Sequence, residues 1–545
     1  MSPAVALRAV PDIPAPEPIA SKGPALLRFI TCGSVDDGKS TLIGRMLYEA
    51  QLVHDDLLDA LARDSRKFGT QGDKLDLALL VDGLSAEREQ GITIDVAYRY
   101  FATPRRSFIV ADTPGHDQYT RNMATGASTA DLAVILVDAR KGVLPQTRRH
   151  SFIVSMLGVR HIVVAVNKMD LVGYQQAVFD GIVAQYREMA ARLGFDAVTP
   201  IPISALEGEN VARRSTAMPW YAGPSLFEHL ETVEISASAA PGVRFRFPVQ
   251  WVNRPNLDFR GFSGTVAGGV IRPGDEIAAL PSGRPSRVRR IVTQGGDLDE
   301  AVAGQAVTLT LDDEIDVSRG DVIVAVGDGL TARKAFAGRL LWMSERSLGN
   351  GEEFQLRLAS ATAAARVSVL GAVDIHSFEP AAADGLGMNE IGLVTVALDR
   401  PVALTDYRGD RELGAFILVD RVTGDTVALG LVDAGAASLV RGADAVARRA
   451  GGTGPAAAVR RHLAEGLVAG WRAGLIEEAS WRLLSGLGMA ALTQAVLGDW
   501  RLTIAAGLLE ALLRPALRFA HRKGWRALEQ RRLARAAYDA DGSGI

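Results

Sequence analysis

The segment Gly33-Ser34-Val35-Asp36-Asp37-Gly38-Lys39-Ser40-Thr41 constrains this chain more than any other. It fits the pattern G-x-x-x-x-G-K-[ST], with a short apolar run (27–31) before it and a helix-like stretch (41–47) after it. The glycines let the backbone wrap an anion with its N–H groups turned inward, and the following helix offers the positive end of its dipole. Lys39 is spaced to reach the β and γ phosphates of a nucleotide, and the Ser40 hydroxyl to bind Mg²⁺. Such a loop demands a strand–loop–helix unit, the building block of a parallel sheet with crossover helices.

The next two hundred or so residues repeat that rhythm. Apolar runs at 107–111, 132–137, 161–166 and 198–203 are separated by helix-length segments. From about residue 242 the runs shorten (245–252, 288–293, 306–311) and Gly, Pro and Asp punctuate them, which predicts two small β-barrels with a boundary inside 326–335. After residue 441 the text turns Ala/Leu/Arg-rich and helical. The expected architecture is an α/β P-loop domain (23–238), two β-barrel domains (239–332 and 333–440) and an α-helical extension (441–545), after a disordered leader (1–22).

Charge separates the extension from the rest. Lys+Arg number 60 against 63 Asp+Glu, a net −3 that argues against a whole-chain nucleic-acid binder. The extension alone is +7 and holds four of the seven tryptophans, which leaves a body of −10. The single cysteine, Cys32, excludes an internal disulfide framework and a multi-thiolate zinc site, and fits a reducing cytoplasm. The leader has Pro11, Pro14, Pro16 and Pro18 but no continuous apolar core, so export is not expected.

Further motifs follow in order. Asp112-Thr113-Pro114-Gly115-His116 succeeds the run 107–111. An Asp there can hold Mg²⁺ through water, and the Gly115 amide can sense a γ-phosphate. Asn167-Lys168-Met169-Asp170 follows the run 161–166. The Asp170 carboxylate can accept from guanine N1 and its exocyclic amine, a pair adenine lacks, while Asn167 and Lys168 brace base and loop. Ser204-Ala205-Leu206 offers backbone to the guanine carbonyl. Within Glu87-Arg88-Glu89-Gln90-Gly91-Ile92-Thr93-Ile94, the Thr93 hydroxyl can complete a Mg²⁺ shell only while the γ-phosphate is present, which would make the segment a switch.

In that order these motifs resemble the translation-factor class of P-loop GTPases, whose D-T-P-G-H pattern is present here. The resemblance implies that GTP is the ligand and that His116 orients the attacking water while Lys39 and Mg²⁺ neutralise the phosphates. The alternative for His116 is a structural hydrogen bond. Three longer stretches, 75–98, 118–131 and 249–261, are similar to the GTPase subunit of bacterial sulfate adenylyltransferase. That likeness covers about 28–432. It implies a heteromer with a separate catalytic subunit that joins ATP and sulfate into adenosine 5′-phosphosulfate and pyrophosphate, and no nucleic-acid partner. The rival is a GTP-dependent tRNA carrier resembling elongation factor Tu, for which the acidic body offers no evident electrostatic footprint.

Some relatives carry an adenylyl-sulfate kinase at this end, but no second G-x-x-x-x-G-K-[ST] occurs after residue 432. The extension instead has apolar runs at 483–497 and 502–513, flanked by Trp481, Trp500 and Trp525 and followed by Arg514, Arg518, Arg522 and Lys523. These runs are short for a span of about 30 Å, yet their ends suit an interfacial hairpin. Residues 480–525 also resemble a family of short two-helix membrane proteins. Membrane contact through 480–525 and a soluble hairpin docked on protein both stand. The chain alone is expected not to phosphorylate adenosine phosphosulfate, and an assay with ATP that detects that product would contradict this.

Overall fold

The computed structural model describes residues 26–50, 61–63, 65, 75–81, 87, 93–235, 244–256 and 259–436. The expected leader and the whole helical extension, with its hairpin at 480–525, lie outside the described residues.

A six-stranded sheet forms from β1 (Leu26–Cys32), β2 (Ala97–Ala102), β3 (Ser107–Asp112), β4 (Leu132–Asp138), β5 (His161–Asn167) and β6 (Ala197–Pro202), in the order β2-β3-β1-β4-β5-β6. Five strands are parallel, and each grows from one of the apolar runs. β4 is buried along its whole length, as a strand covered on both faces should be. The antiparallel edge strand β2 was not among the expected strands. Its inner neighbour covers one side only, so Tyr98 and Tyr100 stay exposed and no continuous apolar run betrays it.

Helices α1 (Lys39–Glu49), α2 (Thr120–Ser128), α3 (Pro145–Met156), α4 (Gln176–Ala190) and α5 (Leu226–Thr232) cover the faces. The alternation of β1 sorts them. Leu27 and Phe29 pack with Leu42 and Met46 of α1 and Phe227 of α5. Ile30 and Cys32 pack with Met123 of α2, Ile153 of α3 and Ile182 of α4. Burial pushes the Cys32 thiol up to about 12. The strand order reverses at β1, so the loops after β1, β3, β4, β5 and β6 gather at one sheet edge, where ligands of such sheets bind.

Two closed antiparallel barrels follow. The first region contains β7 (Arg246–Asn256), β8 (Phe259–Thr265), β9 (Val270–Ile271), β10 (Glu276–Leu280), β11 (Arg284–Thr293), β12 (Gly296–Leu298), β13 (Ala301–Val302), β14 (Ala306–Leu311) and β15 (Val322–Ala325), of which β9 and β13 pair with each other as a separate two-stranded sheet. Pairing of β10 with β11 closes its ring. The second uses β16 (Ala332–Trp342), β17 (Glu352–Leu358), β18 (Ala361–Val373), β19 (Pro380–Ala381), β20 (Ile391–Ala403), β21 (Ala415–Val419) and β22 (Thr426–Val432), closed by β17 and β18. Closure removes the open strand edges that invite aggregation. Among the described residues no helix is long and apolar enough to cross a membrane.

The second barrel is seated on the sheet domain. Leu341, Ile391, Tyr407 and Leu431 join the same core as α2 and α3. Tyr407 Oη donates to Leu157 O at 2.8 Å, and the Arg411 guanidinium donates to Gly158 O at 2.6 Å. The two barrels are joined by Arg246, which pairs with Asp328 and Asp410, both at 3.1 Å. Asp410 in turn caps the short helix α6 (Arg411–Gly414). Arg246→Ala would leave two buried carboxylates without their cation. The expected cost is about 3 kcal/mol or more in urea unfolding, and an unchanged unfolding midpoint would refute the assignment.

Candidate nucleotide-binding site

The loop after β1 turns tightly before α1. Gly38 has φ +90°, and a Cβ there would lie 2.5 Å from Asn167 Nδ2, so both conformation and space require glycine. The Ser34 amide donates to Asp37 Oδ2 at 2.6 Å, which closes the loop on itself. Lys39 is buried, and its Nζ donates to the carbonyls of Gly33 at 3.1 Å and Ser34 at 2.8 Å. The loop after β3 lies against this one: a Cβ on Gly115 would sit 2.5 Å from Lys39 Nζ and 2.8 Å from Val35 N.

The charges here are compressed. Burial pushes the Asp37 and Asp112 carboxyls up to about 6 against the pull of Lys39. Burial also pushes the Lys39 amine down, against the attraction of Asp112 and Asp37. A cleft that holds buried charges of both signs is a functional-site signature.

Three oxygens converge beside Lys39. Ser40 Oγ donates to Asp112 Oδ2 at 3.0 Å and lies 3.2 Å from Thr93 Oγ1. Hydroxyl and carboxylate oxygens are the hard donors that suit a small divalent cation such as Mg²⁺. Thr93 is steadied from its own side. Glu87 Oε1 accepts from the Ile94 amide at 3.0 Å, and Asn122 Nδ2 donates to Ile94 O at 2.7 Å.

On the opposite side, Asn167 Nδ2 donates to Asp37 O at 2.8 Å while its Oδ1 accepts from Ala205 N at 2.9 Å. Lys168 donates to Asp36 O and pairs with Asp138 at 3.2 Å. Asp138 is also clamped by Arg140. Asp170 lies half-buried in the turn after β5.

The structure therefore brings together Gly33, Ser34, Val35, Asp36, Asp37, Gly38, Lys39, Ser40, Thr93, Asp112, Gly115, Asn167, Lys168 and Ala205. Thr41 follows in the first turn of α1. Thr113 and Met169 are turned into the protein: Thr113 Oγ1 donates to Thr31 O at 2.6 Å, and Met169 is wholly buried. Pro114 is buried beside them, and Ser204 is buried with its Oγ accepting from Glu207 N at 3.2 Å. His116 is exposed, and its Nδ1 accepts from Gln118 N at 3.3 Å.

Sequence reasoning missed four supports. Arg45 donates to the carbonyls of Ala205 and Leu206, so α1 grips the loop after β6. Asp138 and Arg140 brace Lys168, and Asn122 braces the Thr93 segment. Only the position of Asp138 at a strand end, like that of Asp112, could have marked one of them.

Residues 25–240 match the elongation factor Tu GTP binding domain, and 335–433 match the GTP-eEF1A C-terminal domain-like family. The class is thus that of elongation-factor-type GTP-binding proteins, with a nucleotide domain followed by two barrels. Within it, the chain belongs to the sulfate adenylyltransferase subunit 1 family. It is 54% identical over 409 residues to that subunit from Saccharophagus degradans, across 75% of this chain and 86% of the relative. It is 56% identical over 408 residues to the one from Cellvibrio japonicus, with the same coverage. It is 57% identical over 414 residues to the bifunctional enzyme NodQ of a Rhizobium strain, across 76% of this chain but only 64% of NodQ.

Asp138 has a titration that can be measured. Burial raises it, but hydrogen bonds from Arg140 and the charge of Lys168 outweigh burial and hold it at about 2. A carboxylate lowered in the fold stabilises the protein above about pH 4, and that gain disappears as pH falls toward its folded value. Asp138→Asn should cost about 2 kcal/mol at neutral pH in urea unfolding. The difference from wild type should shrink as pH is lowered through that window, and a gap independent of pH would refute the clamp.

Proposed function

We propose that this chain is the GTP-hydrolysing subunit of a sulfate adenylyltransferase, which links GTP hydrolysis to formation of adenosine 5′-phosphosulfate by a separate adenylyl-transferring subunit. The observation that carries the reading is membership of the subunit 1 family across three quarters of the chain. The geometry of the sheet edge supports it. The rival tRNA-carrier reading has no comparable family support.

In this reading the backbone of 33–40 and Lys39 hold the phosphates. Asp170 selects guanine through N1 and the exocyclic amine, braced by Asn167 and Lys168, with the 204–206 backbone alongside the base. Ser40, Thr93 and Asp112 would hold Mg²⁺, which supplies positive charge beside the phosphate oxygens. His116 would orient the attacking water. Hydrolysis is then a matter of positioning and charge stabilisation, to which Lys39 contributes at the bridging and terminal phosphates.

The product anhydride joins a phosphoric to a sulfuric acid and hydrolyses readily, so its formation from ATP and sulfate is uphill. Linking that step to GTP needs an element with two states. The segments around Thr93 and 112–116 suit the role because both reach Ser40, and the second also lies against Lys39.

Asp170→Asn tests the coupling. In the reconstituted pair of subunits it should weaken GTP binding at least tenfold, the loss expected for a displaced hydrogen-bond pair, and lower adenosine phosphosulfate synthesis in parallel. Undiminished synthesis with GTP binding lost would refute the coupling.

A further inference from the structure

Asp117, the residue after His116, is gripped from two directions. Asn389 Nδ2, in the loop before β20 of the second barrel, donates to Asp117 O at 2.7 Å. Arg149, on α3, donates to Asp117 Oδ1 at 3.0 Å. Asp117 opens the single turn Asp117–Tyr119, which is closed by Tyr119 N donating to His116 O at 3.0 Å and capped by the His116 ring. A shift at Asp117 therefore moves the imidazole with it.

Both grips are themselves held. Asn389 is 9% exposed, has φ +65°, and its amide donates to Trp342 O at 2.8 Å, so the barrel fixes the backbone from which the side chain reaches. Asparagine is among the few residue types that tolerate that left-handed conformation. Arg149 also donates to Gln146 Oε1 at 2.7 Å. With its oxygen so occupied, Gln146 turns its amide nitrogen to His150 Nε2 at 2.8 Å. His150 is fully buried, so this chain of contacts ends in a fixed group.

Stability does not explain the arrangement. The Asp117 side chain is 58% exposed, and an ion pair so placed contributes little to folding. What the two contacts do is fix an angle. We propose that Asn389 and Arg149 are positioning residues that hold the His116 loop in register for GTP hydrolysis, so that the second barrel and α3 jointly set the orientation of the water-aligning ring. This rests on the GTPase reading above and adds to it two residues outside the nucleotide motifs.

The test uses the full chain with its partner subunit, and measures GTP affinity with a fluorescent guanine nucleotide and hydrolysis in single turnover. Asn389→Asp keeps size and backbone tolerance but sets a carboxylate against the Asp117 carbonyl. Arg149→Met removes the cation, and Arg149→Lys restores it. Asn389→Asp and Arg149→Met should each slow hydrolysis about tenfold with affinity unchanged within about twofold, and Arg149→Lys should recover most of the rate. Asn389→Gly, which suits the left-handed backbone, replaces Asn389→Asp if that variant does not fold. Unchanged hydrolysis in the Asn389 and Arg149→Met variants would overturn the inference while His116→Ala, slow in the same assay, keeps the GTPase reading. A rate loss matched by an equal loss of affinity would also overturn it, as a general structural defect. A wild-type chain that takes up no guanine nucleotide would overturn the reading and the inference together.

Discussion

The side-chain amide of Asn167 is the contact on which the site depends. It is 2% exposed, and its two ends are bonded to the phosphate loop at Asp37 and to the loop after β6 at Ala205. Loss of either bond would leave a buried polar group unsatisfied, at roughly 1–3 kcal/mol. Lys168 adds a second connection, from Asp36 of the phosphate loop to Asp138 at the end of β4. The loops after β1, β4, β5 and β6 are thus tied to one another by buried or half-buried polar contacts.

The other half of the site is built differently. Thr93 and the 112–116 loop reach the cradle through hydroxyl, carboxylate and backbone contacts at Ser40 and Lys39. These contacts are local and few, and a change of charge at the phosphate end bears on them directly. Behind this half stand the barrels. Tyr407 and Arg411 bind the end of α3 at Leu157 and Gly158, while Arg246 ties the first barrel to Asp410, which caps the helix that carries Arg411. The first barrel is thereby tied through the second to the end of α3.

What the sequence revealed follows from the range of the forces involved. The phosphate loop was legible because its requirements are local: glycine for Gly38, a lysine one residue on, a strand and a helix on either side. The five parallel strands were legible as apolar runs. β2 was not, because an edge strand with one covered face lacks such a run. The barrels showed as texture, but the β10–β11 and β17–β18 pairings that close them did not, since closure is a property of the ring. Thr113 and Met169 carried motif positions yet serve the core, because a loop two to four residues long must turn some side chains inward. Asn389 was invisible for the simplest reason: it meets its partner 272 residues away.

Cys32, the chain's one thiol, is sealed beneath the phosphate loop between α2, α3 and α4, and its burial keeps it far from the thiolate form that reacts with alkylating agents. Buried in the fold, it offers a maleimide dye no accessible thiolate. A cysteine introduced on a barrel and another on the sheet domain would be the only labelling positions, so a donor–acceptor pair could follow the distance between them through the nucleotide cycle without first stripping the background from the wild-type chain.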